Sequence, residues 1–355
     1  NDVTSNYQIS YVAGTLEVTT RAIEITADSD TKVYDGTALT DSGSEITTGS
    51  LVEGHTYTAT LTGSQTTVGE SANVASGAVI KDGSNNDVTS NYTVSYVPGT
   101  LKVTALAIEI TADSDEKVYD GTALTDSGSE ITTGTLVEGH TYTATLTGSQ
   151  TTVGESANVA SAAVIKDASE NDVTSNYQIS YVAGTLEVTT RAIEITADSD
   201  TKVYDGTALT DGGSSLTNNT TLVEGHTYTA TLTGSQTTVG ESANVASAAV
   251  IKDASENDVT SNYQISYVAG TLEVTTRAIE ITADSDTKVY DGTALTDSGS
   301  EITTGTLVEG HTYTATLTGS QTTVGESANV ASAAVIKDAS ENDVTSNYQI
   351  SYVAG

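Results

Sequence analysis

The chain has 355 residues, with 47 acidic side chains against 12 basic ones and a formal net charge of −35. That balance excludes nucleic-acid binding, where Lys and Arg must neutralise phosphates, and it opposes contact with anionic lipid. Cys, Met, Trp and Phe are absent, so there is no disulfide scaffold and no thiolate metal centre, and any core is made of Ile, Val, Leu, Ala and Tyr. No apolar run reaches the roughly 18 residues that a membrane-spanning helix needs, so membrane insertion is not expected.

Self-comparison shows a fixed period. The string Asn-Asp-Val-Thr-Ser begins at Asn1, Asn86, Asn171, Asn257 and Asn342, in steps of 85, 85, 86 and 85 residues. A step of that length is one small domain, near the lower limit for independent folding. The boundaries expected are 1–20, the C-terminal part of a preceding repeat; 21–105, 106–190 and 191–276, three full repeats; and 277–355, a repeat lacking its last strand. Residues 1–14 recur identically as 342–355, which reads as a window on a longer array. The extra residue of the third repeat falls in Asp211–Thr221, where an insertion marks a surface loop.

Within Leu106–Thr190 polarity alternates with period two, the signature of strands with one buried face. In chain order, strands are expected at Ala107–Thr111, around Val118–Tyr119, at Glu130–Thr132, His140–Thr147, Ala157–Lys166, Tyr177–Val182 and Thr185–Thr189. The clearest is His140–Thr147: His140, Tyr142, Ala144 and Leu146 share one face, and the other is all Thr. Seven short strands separated by Gly, Asp, Asn and Ser turns indicate an all-β fold, a tandem array of small Ig-like β-sandwich domains of about 85 residues.

The junction Thr185–Thr196 has no Gly, no Pro and no polar spacer. Leu186 and Val188 occupy even positions while Ile193 and Ile195 occupy odd ones, so the inward face is expected to switch near Thr190 as the chain passes from one core to the next. Without a flexible linker, successive domains touch and the array is expected to be an elongated rod.

Lys32-Val-Tyr-Asp-Gly36, with copies at Lys117, Lys202 and Lys288, is followed by Leu51-Val-Glu-Gly-His55, Thr67-Val-Gly69 and the closing segment Asn91–Thr104. In this order the motifs resemble the YDG/MBG-type tandem repeats of bacterial, Gram-positive-like, cell-surface adhesin stalks. The resemblance covers essentially the whole chain. It implies an extracellular location and a stalk architecture, with neighbouring repeats as partners and no catalytic residues to carry over.

Chemistry-bearing candidates are few. Each repeat has one histidine (His55, His140, His226, His311) and no second His or Cys, so a structural role is expected. A low-affinity calcium loop is conceivable where Asp, Ser and Asn alternate: Asp82, Ser84 and Asn86; Asp167, Ser169 and Asn171; Asp253, Ser255 and Asn257; with another copy at Asp338–Asp343. The same residues also cap turns. Lys117 interrupts the acidic loop Asp113–Gly121 and is expected to pair with a nearby Asp. Lys117 and Lys166 also admit a Lys–Asn isopeptide bond, against the ordinary reading of surface lysines. Asn91-Tyr-Thr and Asn219-Thr-Thr match the N-glycosylation pattern. The Tyr of Tyr34-Asp-Gly36 reads either as a sugar-binding aromatic or as a core residue before a turn.

No paired carboxylates, nucleophile constellation or cofactor loop is present, so the chain is not expected to be an enzyme. The expected function is a structural stalk or fibre segment. Two alternatives are a multivalent adhesin repeat for a host glycan or protein, and a filament subunit that assembles head to tail by strand donation between copies.

Overall fold

The computed structural model describes residues 6–355, so residues 1–5 of the expected 1–20 segment lie outside the described residues. Among the described residues every regular element is a β-strand or a single 3-10 turn. The first repeat contains β1 (Arg21–Ala27), β2 (Asp30–Val33), β3 (Ser44–Thr48), β4 (Thr56–Thr62), β5 (Gly69–Lys81), β6 (Tyr92–Val97) and β7 (Gly99–Thr104). Counterparts recur in each following repeat at the sequence period. All seven strands expected from alternation in the second repeat are present, the clearest as Thr141–Thr147.

Two sheets build each full repeat. β1 lies between β3, antiparallel, and β6, parallel. The second sheet has the order β2-β7-β5-β4, with β2 parallel to β7 and the remaining pairs antiparallel. The third repeat repeats both orders, with Asp200–Val203, Gly270–Thr275, Gly240–Lys252 and Thr227–Thr233 in the second sheet. Strand β5 is 13 residues long because it serves two neighbours. Its first half, Gly69–Asn73, pairs with β7, and its second half pairs with β4.

A β-bulge divides that second half: the register shifts between Thr58 and Thr60, opposite Gly77 at φ +56°. Three later repeats place Ala162, Ala248 and Ala333 in the same left-handed conformation, which costs a residue with a Cβ about 1–2 kcal/mol. The bulge re-aims the strand between its two partners. In the third repeat the inserted loop shortens the β3 counterpart to Ser214–Leu216, and Asn218 and Asn219 take positive φ in the turn that follows.

Contacts divide the chain into two compact units. The first runs to Asp115 and adds Leu124–Gln150 and Glu155–Glu187; the second comprises Glu116–Ala123, Thr151–Gly154 and Val188–Gly355. Within the first unit, one core joins Ile23, Ile25 and Ala27 of β1 to Ala75, Ala78 and Ile80 of β5 and to Tyr92. A second core joins Tyr34, Leu39, Leu101 and Val103 of the first repeat to Ile108, Ile110, Ala160, Ile165 and Tyr177 of the second. The second unit has the same composite core: Tyr204, Leu209, Leu272 and Val274 pack with Ile279, Ile281, Ala331, Ile336 and Tyr348.

The expected switch of inward face is therefore real in its parity but different in meaning. Leu101 and Val103 sit on odd positions, Ile108 and Ile110 on even ones, and all four are buried in one core. They belong to different sheets that cover a common interior, so the parity change turns both pairs toward it. One residue, Ala105, separates β7 from the next strand, Leu106–Ala112.

Leu101 is 0 % exposed although it is carried by a six-residue strand. Leu101→Ala is expected to lower the unfolding free energy by about 2–5 kcal/mol in dilute solution, measured by urea denaturation. Leu16→Ala, at an exposed position of identical local sequence, is expected to change it by less than about 0.5 kcal/mol. Equal effects would contradict the core assignment.

Candidate functional site

The side chains that recur with closest geometry lie where one repeat meets the next inside each unit. The Tyr-Asp-Gly turn after β2 sets them up. Lys32 Nζ donates to Asp35 Oδ1 at 2.7 Å and to the carbonyl and hydroxyl of Thr37. Asp35 Oδ1 also accepts from the Thr37 N–H at 2.9 Å. The Lys32 ammonium beside it, and then the Thr37 donors, hold the Asp35 carboxyl down at about 2. Being exposed, this pair shapes the turn more than it stabilises the protein. Lys117 holds Asp120 and Lys202 holds Asp205 in the same way, each at 2.7 Å.

Gly36 follows at φ +79°, and a Cβ there would lie 2.9 Å from Val137 Cγ1 of the second repeat. Glycine is thus required twice, for its left-handed backbone and for close approach. The turn directs Tyr34 away from its own first sheet, and only 6 % of the residue stays exposed. Its ring meets the edge of Tyr177 at 5.7 Å between centroids and lies 6.3 Å from His140. Edge-to-face pairs of this kind contribute about 0.5–1.5 kcal/mol beyond area burial.

Beneath that contact is a small polar network. Tyr177 Oη accepts from the Val137 N–H at 3.2 Å and lies 2.7 Å from His140 Nδ1. Because the N–H already occupies a lone pair, the Tyr177 hydroxyl proton is free to go to a neutral His140. Asn176, buried to 3 % exposure, accepts from the Val68 N–H at 2.8 Å and hydrogen-bonds the Tyr34 hydroxyl. The second unit repeats the arrangement twice. Tyr119 meets His226 and Tyr263 while Asn262 accepts from Val153; Tyr204 meets His311 and Tyr348 while Asn347 accepts from Val239.

Three of the four motif tyrosines are therefore buried, which removes them as sugar platforms; Tyr290 is the exposed one. The histidines take structural places, each bonded to a tyrosine hydroxyl. Asn176 and its counterparts were missed by sequence reasoning, and only their co-repetition with Tyr34 and Val68 could have pointed to them.

The calcium candidates form closed turns. Asp82 Oδ1 accepts from the N–H groups of Ser84 and Asn86, and Oδ2 accepts from the Asn86 side-chain amide. Asp167 with Ser169 and Asn171, and Asp253 with Ser255 and Asn257, repeat this. These donors, the Asn side chain foremost, lower the Asp carboxyl pKa values. A cation here would have to displace the Asn amide. Among the described residues no group of three or more His, Cys, Asp or Glu is placed to hold a metal ion. Lys166, Lys252 and Lys337 reach Glu170, Glu256 and Glu341 at 3.1 Å, so carboxylates rather than Asn amides face the lysines considered for isopeptide bonds.

No protein-family model matches the chain, and no curated protein matches it.

Burial raises the hydroxyl pKa of Tyr34, Tyr119, Tyr204, Tyr177, Tyr263 and Tyr348 above the ordinary value of 10.0. A folded-state value above the unfolded one favours the neutral form, so this stability is complete below pH 10 and is lost as pH rises through the folded values. Ultraviolet titration followed with circular dichroism is expected to show these six phenolates appearing together with alkaline unfolding, and Tyr34→Phe is expected to delay that unfolding. Ionisation of all six at the free-tyrosine value in an intact fold would contradict the buried network.

Proposed function

We propose that the chain is a structural stalk or fibre segment of an extracellular bacterial surface protein, in which stiff tandem β domains project or link other parts. The observation that carries this reading is the composite core. Inside each unit a repeat completes its own interior only together with the next one, across one connecting residue. Bending there would expose Leu101, Val103 and Tyr34, whose burial contributes roughly 1.5–3 kcal/mol for each large side chain. A Gly/Ser linker would oppose bending with nothing comparable.

The paired sheets are read as Ig-like sandwiches and the whole array as an elongated rod. The resemblance to YDG/MBG-type stalk repeats, the net charge of −35 and the absence of Cys support a secreted surface location. The turn chemistry at the seams and the Thr-rich exposed strand faces fit a spacer that needs neither catalysis nor a cofactor.

Small-angle X-ray scattering tests the reading. Repeats of about 35–45 Å each give a maximum dimension near roughly 150 Å for four, expected to be unchanged by calcium or by a chelator. A much shorter or calcium-dependent dimension would count against a stiff, metal-independent stalk.

A further inference from the structure

The fourth repeat departs from the first three in one place. Its β5 counterpart is a strand only over Val330–Lys337, and residues 286–289, the counterpart of β2, are not in a strand. A groove of about 480 Å³ lies there, lined by Tyr290, Leu295, Val324 and Asn329 among others. In the other repeats this lane holds β7 or its counterpart, with Leu101, Leu186 and Leu272 each 0 % exposed. Tyr290 is 66 % and Val324 90 % exposed.

Residues 14–19 carry the complementary half. They read Gly-Thr-Leu-Glu-Val-Thr, identical to Gly184–Thr189 and Gly270–Thr275, yet Leu16 and Val18 are fully exposed. The repeat that follows them also presents an unused acceptor face. His55 and Tyr92 form their 2.8 Å pair with no further tyrosine ring against them among the described residues, and Asn91, the counterpart of Asn176, is exposed.

We propose that the groove of the fourth repeat is a strand-binding site whose occupant is Thr15–Thr19 of a second copy of this chain. The register follows from the third repeat, where Gly270, Thr271, Leu272 and Val274 stand opposite Asn244, Ala243, Ser242 and Gly240. Gly355 already makes the first rung: its N–H donates to the Asn329 carbonyl at 2.9 Å, and it accepts from the Asn329 N–H at 3.2 Å. Thr15 then stands opposite Ala328, Leu16 opposite Ser327 and Val18 opposite Gly325. On the far side Lys288 pairs with Val18, as Lys202 pairs with Val274.

A second copy is the occupant because a strand alone would leave Tyr290 and the Val324 N–H uncovered. A copy brings both the strand and the repeat after it, so Tyr290 seats on His55 and Tyr92, and Asn91 accepts from Val324. This interface continues one that the chain already makes between its own repeats. It holds whether or not the array serves as a stalk. Two chains of charge −35 repel one another, so association strengthens as salt screens them.

Sedimentation velocity on the 355-residue chain, over a concentration and salt series, tests the proposal. Concentration-dependent dimers and longer assemblies are expected, more populated at higher salt. Leu16→Asp with Val18→Asp, at exposed positions that cannot unfold the monomer, is expected to weaken association by about tenfold or more; Tyr290→Ala with Val324→Asp is expected to do the same. Neither variant assembles alone, but a mixture of the two forms a dimer and nothing longer. Monomers at every concentration, or assembly indifferent to Leu16→Asp, would overturn the proposal. So would binding of a synthetic Gly-Thr-Leu-Glu-Val-Thr peptide to a chain that stays monomeric, which would assign the groove to a strand of its own polypeptide.

Discussion

The structure depends on the burial of two side chains per repeat, the Leu and Val of β7, between their own sheet and the first sheet of the following repeat. A unit of about 85 residues without Phe, Trp, Met or Cys has little apolar volume and no covalent staple, and small cores are marginal. Sharing the interior with a neighbour enlarges each core without lengthening the repeat. Stability then resides in nearest-neighbour terms as much as in the repeats themselves, as in other tandem arrays.

The Tyr-Asp-Gly turn makes that sharing directional. Lys32 and Thr37 hold Asp35 in place, Asp35 shapes the turn, and Gly36 lets the backbone approach Val137, so that Tyr34 can lie only against the next repeat. The receiving face is a different set of residues, His140, Tyr177 and Asn176. Each repeat thus carries a donating and a receiving face that are unlike each other, so the contact is heterologous. The motifs that mark the family resemblance are, physically, the two halves of this contact.

Much of the fold was legible in the sequence because exposed Thr alternates cleanly with buried or half-buried residues. Thr141–Thr147 and Gly184–Thr189 were found on that ground. Their sheet membership was not legible, because alternation shows which residues face inward but not which interior they face. The odd-to-even change at the junction therefore read as passage between cores, whereas Leu101 and Ile108 share one. The candidate site was half legible. Tyr34 and Gly36 stood out by composition, but Asn176 accepts from Val68 across 108 positions of sequence, and no local pattern records that pairing. The Asp-x-Ser-x-Asn spacing at Asp82 drew attention to calcium, and the Asn86 amide turns out to use the same carboxylate.

The central claim is that neighbouring repeats within a unit are one folding body, and native-state hydrogen exchange on the intact chain addresses it most directly. The amides of Gly270–Thr275, from the third repeat, and those of Arg277–Ala283 and Thr312–Thr318, from the fourth, are predicted to open with a common free energy that falls together with added denaturant. Two separate opening energies divided at Thr276 would show that each repeat folds on its own, and the account built on a shared core would be contradicted.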